Sequence, residues 1–155
     1  MNSIFMKENI KIKILKEISQ LKEIEIIESE NFRNTAFRLK VLRELFNDER
    51  VIILVGMLDN YIKGYIILYN NEDVFDILKI AVKEEFKRKS IATRLLNYIR
   101  DNLIIDKEVK IMLEVRKTND RAIKFYEKYG FQKISVRKKY YEDTNEDAIV
   151  MMYKK

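Results

Sequence analysis

Three consecutive strand-like segments in the middle of the chain restrict it to folds that contain an antiparallel sheet. The segments begin at Val51, Tyr61 and Asp73 and read VIILVGMLD, YIKGYIILY and DVFDILKIAV. Short turns rich in Asp and Asn join them, at Asp59-Asn60 and Asn70-Asn71. This arrangement predicts a three-stranded antiparallel meander.

Hydrophobic periodicity predicts further elements on both sides of the meander. Isoleucines alternate with lysines at Ile10, Ile12 and Ile14, which indicates a half-buried strand. Apolar residues at helical spacing predict two helices before the meander and one after it. Their apolar positions are Leu21, Ile24 and Ile27; Phe37, Val41, Leu42, Leu45 and Phe46; and Ile91, Leu95, Leu96, Ile99 and Leu103.

The last third of the chain predicts a strand, a helix and two more strands. The first strand has an apolar face from Val109 to Val115, which leaves Glu114 on the opposite face. Asn119 is the predicted N-cap of the helix and Gly130 its left-handed C-cap. The element order β-α-α-β-β-β-α-β-α-β-β predicts an α+β fold, with a mixed, mostly antiparallel sheet of about seven strands flanked by about four helices. Because no linker or repeat interrupts the pattern, we expect a single domain over residues 1–155.

The absence of certain residue types excludes several kinds of chemistry. The chain has no His, no Cys and no Pro, and only three Gly. Ser-His-Asp and Cys-His nucleophilic sites, disulfides and ordinary zinc sites are therefore excluded, which leaves carboxylates, Tyr and Lys as proton carriers. The three glycines are too far apart to form either of the two common Gly-rich nucleotide-binding motifs, G-x-G-x-x-G and G-x-x-x-x-G-K-S/T. No segment predicts a leader or a membrane span, so we expect a cytoplasmic protein with no membrane partner.

The net charge of +6 suggests a polyanionic partner, but the positive charge is local. Three short patches hold ten of the cations, and the rest of the chain sums to −4. One patch, FKRKSIATR from Phe86 to Arg94, joins the meander to the next helix and contains no acid. A helix N-terminus with free N–H groups and neighbouring cations is suited to a pyrophosphate, although composition alone favours a solvated basic loop.

The same junction resembles the coenzyme A pyrophosphate loop of the GNAT acyltransferase superfamily. That loop follows the pattern Q/R-x-x-G-x-G/A, and Lys87, Ser90 and Ala92 occupy its three specified positions. Ser90 stands where the family usually has Gly, a residue that lets the backbone approach the ligand closely. Lys87 stands where Gln or Arg is usual. The resemblance implies a phosphate-binding segment composed of Lys87, Arg88, Lys89, Ser90, Ile91, Ala92 and Thr93.

The second half of the chain resembles the bacterial ribosomal-protein alanine N-acetyltransferases (the RimI type) of that superfamily. LEVRKTNDRAIKFYEKYGF, from Leu113, contains N-x-x-A-x-x-F-Y-x-x-x-G-F, and VRKKYYEDTNEDAIVM follows it. The resemblance extends from about Ile77 to Tyr153 and implies a GNAT fold. It also implies transfer of the acetyl group of acetyl-CoA to an amine, first of all the N-terminal α-amine of a protein such as a ribosomal protein, without a metal.

The resemblance also assigns the reacting groups. It implies that Glu114 is the general base, that Tyr126 is the general acid, and that Asn119 bonds the cofactor. The backbone of the strand residues Ile80, Ala81 and Val82 would face the pantetheine arm. The chemistry agrees, because an α-ammonium group with a pKa of about 8 needs modest help from a carboxylate, and a thiolate with a pKa of about 8.5 can take a proton from a phenol. Since no Cys is present to carry the acyl group, we expect direct attack in a ternary complex.

The segment from Tyr140 to Asp147 has the composition of a hairpin connection. The resemblance implies that Tyr140 and Tyr141 orient the acceptor peptide, and we add the hypothesis that Glu142 and Asp143 attract a cationic one.

Two other functions stay open at this point. The nearer is the same fold acting on a small-molecule amine or a lysine side chain. The more distant is a non-enzymatic RNA-binding module, suggested by the basic patches and nine tyrosines, although no RNA-binding motif is present and nucleic acid is not the expected partner.

Overall fold

The computed structural model describes residues 9–88, 90–106 and 108–155. Within these residues the chain forms seven β-strands and four α-helices, in the predicted order. The strands are β1 (Lys11–Ile14), β2 (Val51–Leu58), β3 (Tyr61–Asn71), β4 (Val74–Val82), β5 (Lys110–Arg116), β6 (Gln132–Tyr141) and β7 (Glu146–Lys154). The helices are α1 (Leu21–Phe32), α2 (Leu39–Phe46), α3 (Ile91–Tyr98) and α4 (Asp120–Tyr129), and a π-helical turn, Ile99–Leu103, continues α3.

The strands of the described residues form one open, mixed sheet in the order β1-β2-β3-β4-β5-β7-β6. The pairs β1–β2, β2–β3, β5–β7 and β6–β7 are antiparallel. The pair β4–β5 is parallel, joins Val74–Asp76 to Lys110–Met112, and has α3 in the connection between its strands. The predicted α+β fold class with a mixed, mostly antiparallel sheet is therefore confirmed.

Two compact units can be distinguished among the described residues. The first consists of residues 9–69 and 78–103, and the second of residues 70–77 and 104–155, so that β4 contributes to both. The core of the first unit contains the apolar positions predicted for α1, namely Leu21, Ile24 and Ile27, each at most 1% exposed. They pack with buried residues of β2 and β3, because spacing of three residues brings one face of α1 onto the sheet.

A pair of glycines in the first unit lies beneath the first residue of α3. Gly56 of β2 and Gly64 of β3 are register partners. A Cβ atom at these positions would lie 3.1 and 2.9 Å, respectively, from Cγ2 of Ile91, the first residue of α3. Ile91 is buried. The absence of side chains at the two glycines lets the first turn of α3 pack directly on the sheet.

The second unit is built from β5, β6, β7 and α4. Along β5 the residues Ile111, Leu113 and Val115 are buried, and Glu114 lies on the other face, as the period of two predicted. Both predicted caps of α4 are confirmed. The side-chain oxygen of Asn119 accepts a hydrogen bond from the Ala122 N–H group at 3.2 Å, and Gly130 has a φ of 123° after the last turn.

The connection between β6 and β7 is shorter than its polar composition predicted. The strands continue to Tyr141 and resume at Glu146, and the Asn145 N–H group donates to the Tyr141 carbonyl oxygen at 2.7 Å. Strand pairing of Tyr141 with Glu146 accounts for the difference, because it brings polar residues of the predicted turn into the ladder.

None of the helices in 9–88, 90–106 and 108–155 combines the length and the apolar character that crossing a bilayer requires.

Candidate active site

The basic junction of the first unit has a left-handed backbone immediately before α3. Arg88 and Ser90 have φ values of 66° and 68°, in the region that favours glycine. The first intrahelical hydrogen bond of α3 runs from the Arg94 N–H group to the Ser90 carbonyl oxygen, at 2.9 Å. The N–H groups of Ile91, Ala92 and Thr93 precede that bond and have no intrahelical acceptor. Lys89 lies outside the described residues.

The cations of this junction have different partners. Lys87 pairs with Glu84 at 2.9 Å on the surface, and the Arg94 guanidinium donates to the Ile10 carbonyl oxygen at 2.6 Å. The Arg88 side chain is exposed. Arg94 therefore anchors α3 to the segment before β1, whereas Arg88 is displayed to solvent beside the start of α3.

The predicted strand segment Ile80–Val82 forms the end of β4. The parallel ladder between β4 and β5 covers Val74–Asp76, so Ile80–Val82 lie beyond the end of that ladder. The carbonyl oxygen of Val82 accepts a long hydrogen bond, 3.5 Å, from the side-chain amide of Asn31. Asn119, whose oxygen caps α4, has an exposed side chain that keeps its amide N–H groups for another acceptor.

Glu114 lies on β5 in the second unit and forms an ion pair with β6. Its Oε1 atom is 3.3 Å from Nε of Arg137, and its side chain is 27% exposed. Burial raises the pKa of Glu114, the Arg137 guanidinium opposes this rise, and the negative charge of Asp76 adds to it. The carboxyl group is therefore a stronger base than an ordinary surface glutamate.

Tyr126 lies on α4, and its ring is enclosed by aromatic side chains. It contacts Phe125 and Phe131 edge to face, with centroid distances of 5.3 and 5.4 Å. Tyr126 is 7% exposed, and within the described residues its hydroxyl has no hydrogen-bond partner. Burial raises the pKa of Tyr126, and the nearby Tyr141 adds to the rise, so the phenol is protonated at neutral pH.

Tyr140 and Tyr141 end β6 as an edge-to-face pair with centroids 5.1 Å apart. The Arg116 guanidinium lies 4.0 Å from the centroid of the Tyr141 ring. Burial raises the pKa of Tyr141 to about 12 against the opposing effect of Arg116, and Glu114 also contributes to the rise. The second unit thus brings together three residues that the sequence singled out, namely Glu114, Tyr126 and Tyr141.

The profile of the acetyltransferase (GNAT) family matches residues 18–131. The chain belongs to the GNAT acetyltransferase family. Over 105 residues it is 33% identical to the [ribosomal protein bS18]-alanine N-acetyltransferase of Salmonella typhimurium, an alignment that covers 66% of this chain and 71% of the relative. Both the family and the enzyme class predicted from the sequence are confirmed.

Solved structures of other GNAT acetyltransferases have the same fold. The ribosomal-protein-S18-alanine N-acetyltransferase of Escherichia coli superposes with a TM-score of 0.82 at 26% identity, over 94% of this chain and 93% of that one. A GNAT family acetyltransferase of Elizabethkingia anophelis, solved with acetyl-CoA bound, has a TM-score of 0.73 at 18% identity, over 96% and 99% of the two chains.

The junction before α3 in this GNAT acetyltransferase fits the phosphates of coenzyme A. Three N–H groups without intrahelical acceptors and the exposed Arg88 side chain supply donors at the positive end of the α3 dipole. Ser90 reaches the left-handed conformation that the usual glycine would adopt more easily. A left-handed turn therefore forms at this position without a glycine. In the described residues no group of three or more His, Cys, Asp or Glu could hold a metal ion.

Three charged residues near Glu114 and Tyr141 were not among the site residues predicted from the sequence, namely Asp76, Arg116 and Arg137. Arg116 binds Asp143 at 2.9 and 3.1 Å and Thr144 at 3.0 Å, and it lies 3.6 Å from Glu146. It therefore ties the turn between β6 and β7 to β5. The period of two on β5 places Arg116 on the face of Glu114, but its partners lie on another hairpin that local patterns do not specify.

Proposed function

We propose that this acetyltransferase transfers the acetyl group of acetyl-CoA to the N-terminal α-amine of a protein, such as a ribosomal protein. The observation that carries the proposal is the grouping of the half-buried carboxylate of Glu114 with the buried phenol of Tyr126 and the half-buried phenol of Tyr141. The relatives from Salmonella typhimurium and Escherichia coli, named for alanine N-acetylation of a ribosomal protein, support the choice of acceptor. We further propose that residues 1–155 act as one catalytic domain in the cytoplasm.

The first unit would hold the cosubstrate. The N–H groups of Ile91, Ala92 and Thr93 and the side chain of Arg88 would bind the pyrophosphate, with Lys87, Lys89 and Ser90 beside them. The backbone of Ile80–Val82 would hydrogen-bond the pantetheine arm. Asn119, a residue of the second unit, would donate to the cosubstrate from its side-chain amide group. Acetyl-CoA supplies the acetyl group as a thioester with a thiolate leaving group.

The second unit would carry out the proton transfers. Glu114 takes one proton from the α-ammonium group, directly or through water, and frees the lone pair of the nitrogen. The nitrogen then bonds to the carbonyl carbon, the C–S bond breaks, and Tyr126 donates its proton to the sulfur. The second proton leaves the nitrogen and restores Tyr126, while Glu114 releases its own to solvent. One proton is released for each amide formed.

Kinetics of Glu114→Gln and Tyr126→Phe test these roles. General acid–base groups contribute about 10²- to 10⁴-fold, so each variant should lower kcat by about 10²-fold or more and change the affinity for acetyl-CoA much less. Glu127→Gln, an exposed residue of α4, and Tyr153→Phe are matched controls that should retain turnover. Wild-type turnover in Glu114→Gln or Tyr126→Phe would refute the role of that residue.

The acceptor is tested separately with acetyl-CoA and a library of peptide N-termini, lysine-containing peptides and polyamines, read by mass spectrometry. Acetylation confined to N-terminal amines supports the proposal, and acetylation of polyamines or lysine side chains instead would replace it. Acetyl-CoA at 100 times its Kd should add about 2.7 kcal/mol to the free energy of unfolding. Absence of a thermal shift at millimolar acetyl-CoA, together with salt-dependent RNA binding, would favour the RNA-binding alternative.

A further inference from the structure

Asp76 lies on the same face of the second unit as Glu114 and Arg137. In the parallel ladder Asp76 is the register partner of Met112, which lies two residues before Glu114 on the same face of β5. Across the antiparallel ladders, Arg116 pairs with Ala148, and Ala148 pairs with Arg137. Register partners point to one side of a sheet, so these two carboxylates and two guanidinium groups share a face.

The charges closest to Asp76 and Glu114 do not balance. Arg137 is 3.3 Å from Glu114, and Arg116 is already held by Asp143 and Glu146. Lys110 lies on the same face of β5 but forms no ion pair with either carboxylate within the described residues. Asp76 has no ion pair within 4 Å among the described residues, and both carboxylates feel the charge of Arg137. Within the described residues the two carboxylates therefore share one guanidinium group, and Asp76 has no ion pair of its own.

The Asp76 carboxylate is only partly exposed to water. Asp76 is of intermediate exposure, and burial is the main cause that raises its pKa, as it is for Glu114. A partly buried charge without a counter-ion is unfavourable, and a ligand cation that supplies the missing charge removes this cost. An α-ammonium group has one positive charge and three N–H donors, enough to bond both carboxylates at once.

We propose that Asp76 binds the α-ammonium group of the acceptor beside Glu114 and thereby selects a cationic amine. This inference rests on the proposed N-terminal acetylation. Glu114 takes the proton that starts the reaction, and Asp76 stays ionised and holds the acceptor in place. Asp76 also keeps a negative charge near Glu114, which opposes the effect of Arg137 on that base.

The charged and titratable groups on the face of Glu114 come from all four strands of this unit. They are Asp76 on β4, Lys110 and Arg116 on β5, Arg137 and Tyr141 on β6, and Glu146 and Lys154 on β7. Removing the Asp76 charge leaves the Arg137 pair unopposed, which lowers the pKa of Glu114. The acidic limb of the kcat/KM profile should therefore move to lower pH in Asp76→Asn. A purely structural role for Asp76 would not produce this shift.

The experiment compares the wild type with Asp76→Asn, Asp76→Glu and the charge-matched control Glu127→Gln, using an N-terminal peptide and acetyl-CoA. A charge-assisted hydrogen bond is lost in Asp76→Asn, so its peptide KM should rise about tenfold while its acetyl-CoA KM stays within about twofold. Asp76→Glu should recover part of the loss, and peptide KM should depend less on salt in Asp76→Asn than in the wild type.

Each outcome separates this inference from the proposed function. A wild-type enzyme that acetylates no N-terminal peptide would refute the proposed function. A wild type that does so, with Asp76→Asn matching Glu127→Gln in peptide KM and in pH profile, would overturn the role of Asp76 alone. An equal rise in the peptide KM and the acetyl-CoA KM of Asp76→Asn would also overturn the role of Asp76, since that result indicates general distortion of the site.

Discussion

A buried carboxylate in the first unit should make Lys79 one of the most sensitive positions of the protein. Glu28 of α1 is 0% exposed. Its carboxylate accepts hydrogen bonds from the Phe37 N–H group at 2.8 Å, from the Lys79 ammonium group at 3.2 Å, and from the Tyr65 hydroxyl. Replacing Lys79 with Met removes the cation and leaves the carboxylate buried with neutral donors only.

The magnitude follows from the surroundings of Lys79. Its side chain is 12% exposed, and its ammonium group lies 3.8 Å from the Phe32 ring centroid and 4.4 Å from that of Phe37. It also donates to the Thr35 carbonyl oxygen at 2.8 Å. Removal of one partner from a buried ion pair costs about 3–5 kcal/mol. For a chain of this length, each kcal/mol lowers Tm by about 2–4 °C, so we expect a fall of about 6–20 °C in Lys79→Met.

Thermal and denaturant unfolding of Lys79→Met, Glu28→Gln and the double variant measures this effect. Lys22→Met, which removes an exposed lysine of α1, is the matched control and should change stability by less than about 0.5 kcal/mol. The double variant should cost less than the sum of the single variants, because it removes both charges together. A Lys79→Met variant as stable as the control, or strict additivity in the double variant, would refute this reasoning.

Two further changes in stability follow from the first unit. Ser90→Gly relieves a left-handed φ of 68°, and after the entropy cost of Gly the free energy of unfolding should rise by about 1 kcal/mol, or Tm by about 2–4 °C. Ser90→Ala, which keeps a Cβ atom, should not raise stability. A loss of stability in Ser90→Gly would contradict this account. Burial, reinforced by Glu28, raises the pKa of Tyr65. Above a pH of about 10 the unfolded state ionises and the folded state does not, so the free energy of unfolding should fall as pH rises; an equal slope in Tyr65→Phe would refute this attribution.

Local patterns predicted the elements because their signals lie within a few residues. The alternation along β5 placed Glu114 on the face opposite Ile111 and Leu113, and the structure agrees. Asn119 and Gly130 were recognised as caps because capping depends on residue type and on the adjacent turn. The roles of Glu114 and Tyr126, by contrast, came from a family resemblance, since each residue alone has an ordinary structural explanation.

Pairings between distant residues could not be predicted in this way. Helical spacing identified Leu21, Ile24 and Ile27, but it did not show that Glu28 is buried as well, because its partner Lys79 is 51 residues away. The ion pair between Glu114 and Arg137 likewise depends on β7 lying between their strands. Such contacts depend on strand order and register, and the hydrophobic periodicity of a sequence contains no information about either.

The distribution of charge shows why net charge was a poor guide to the partner. The basic patches contain cations with assigned partners, since Lys87 pairs with Glu84 and Lys138 with Asp147. The acidic turn is balanced in the same way, because Asp143 is bound by Arg116. A carboxylate already paired with an arginine attracts a cationic peptide only weakly, since the two charges largely cancel at a distance. Under the proposed function, we therefore expect attraction for an acceptor ammonium group to depend more on the half-buried carboxylates Asp76 and Glu114 than on the number of acids in the exposed turn.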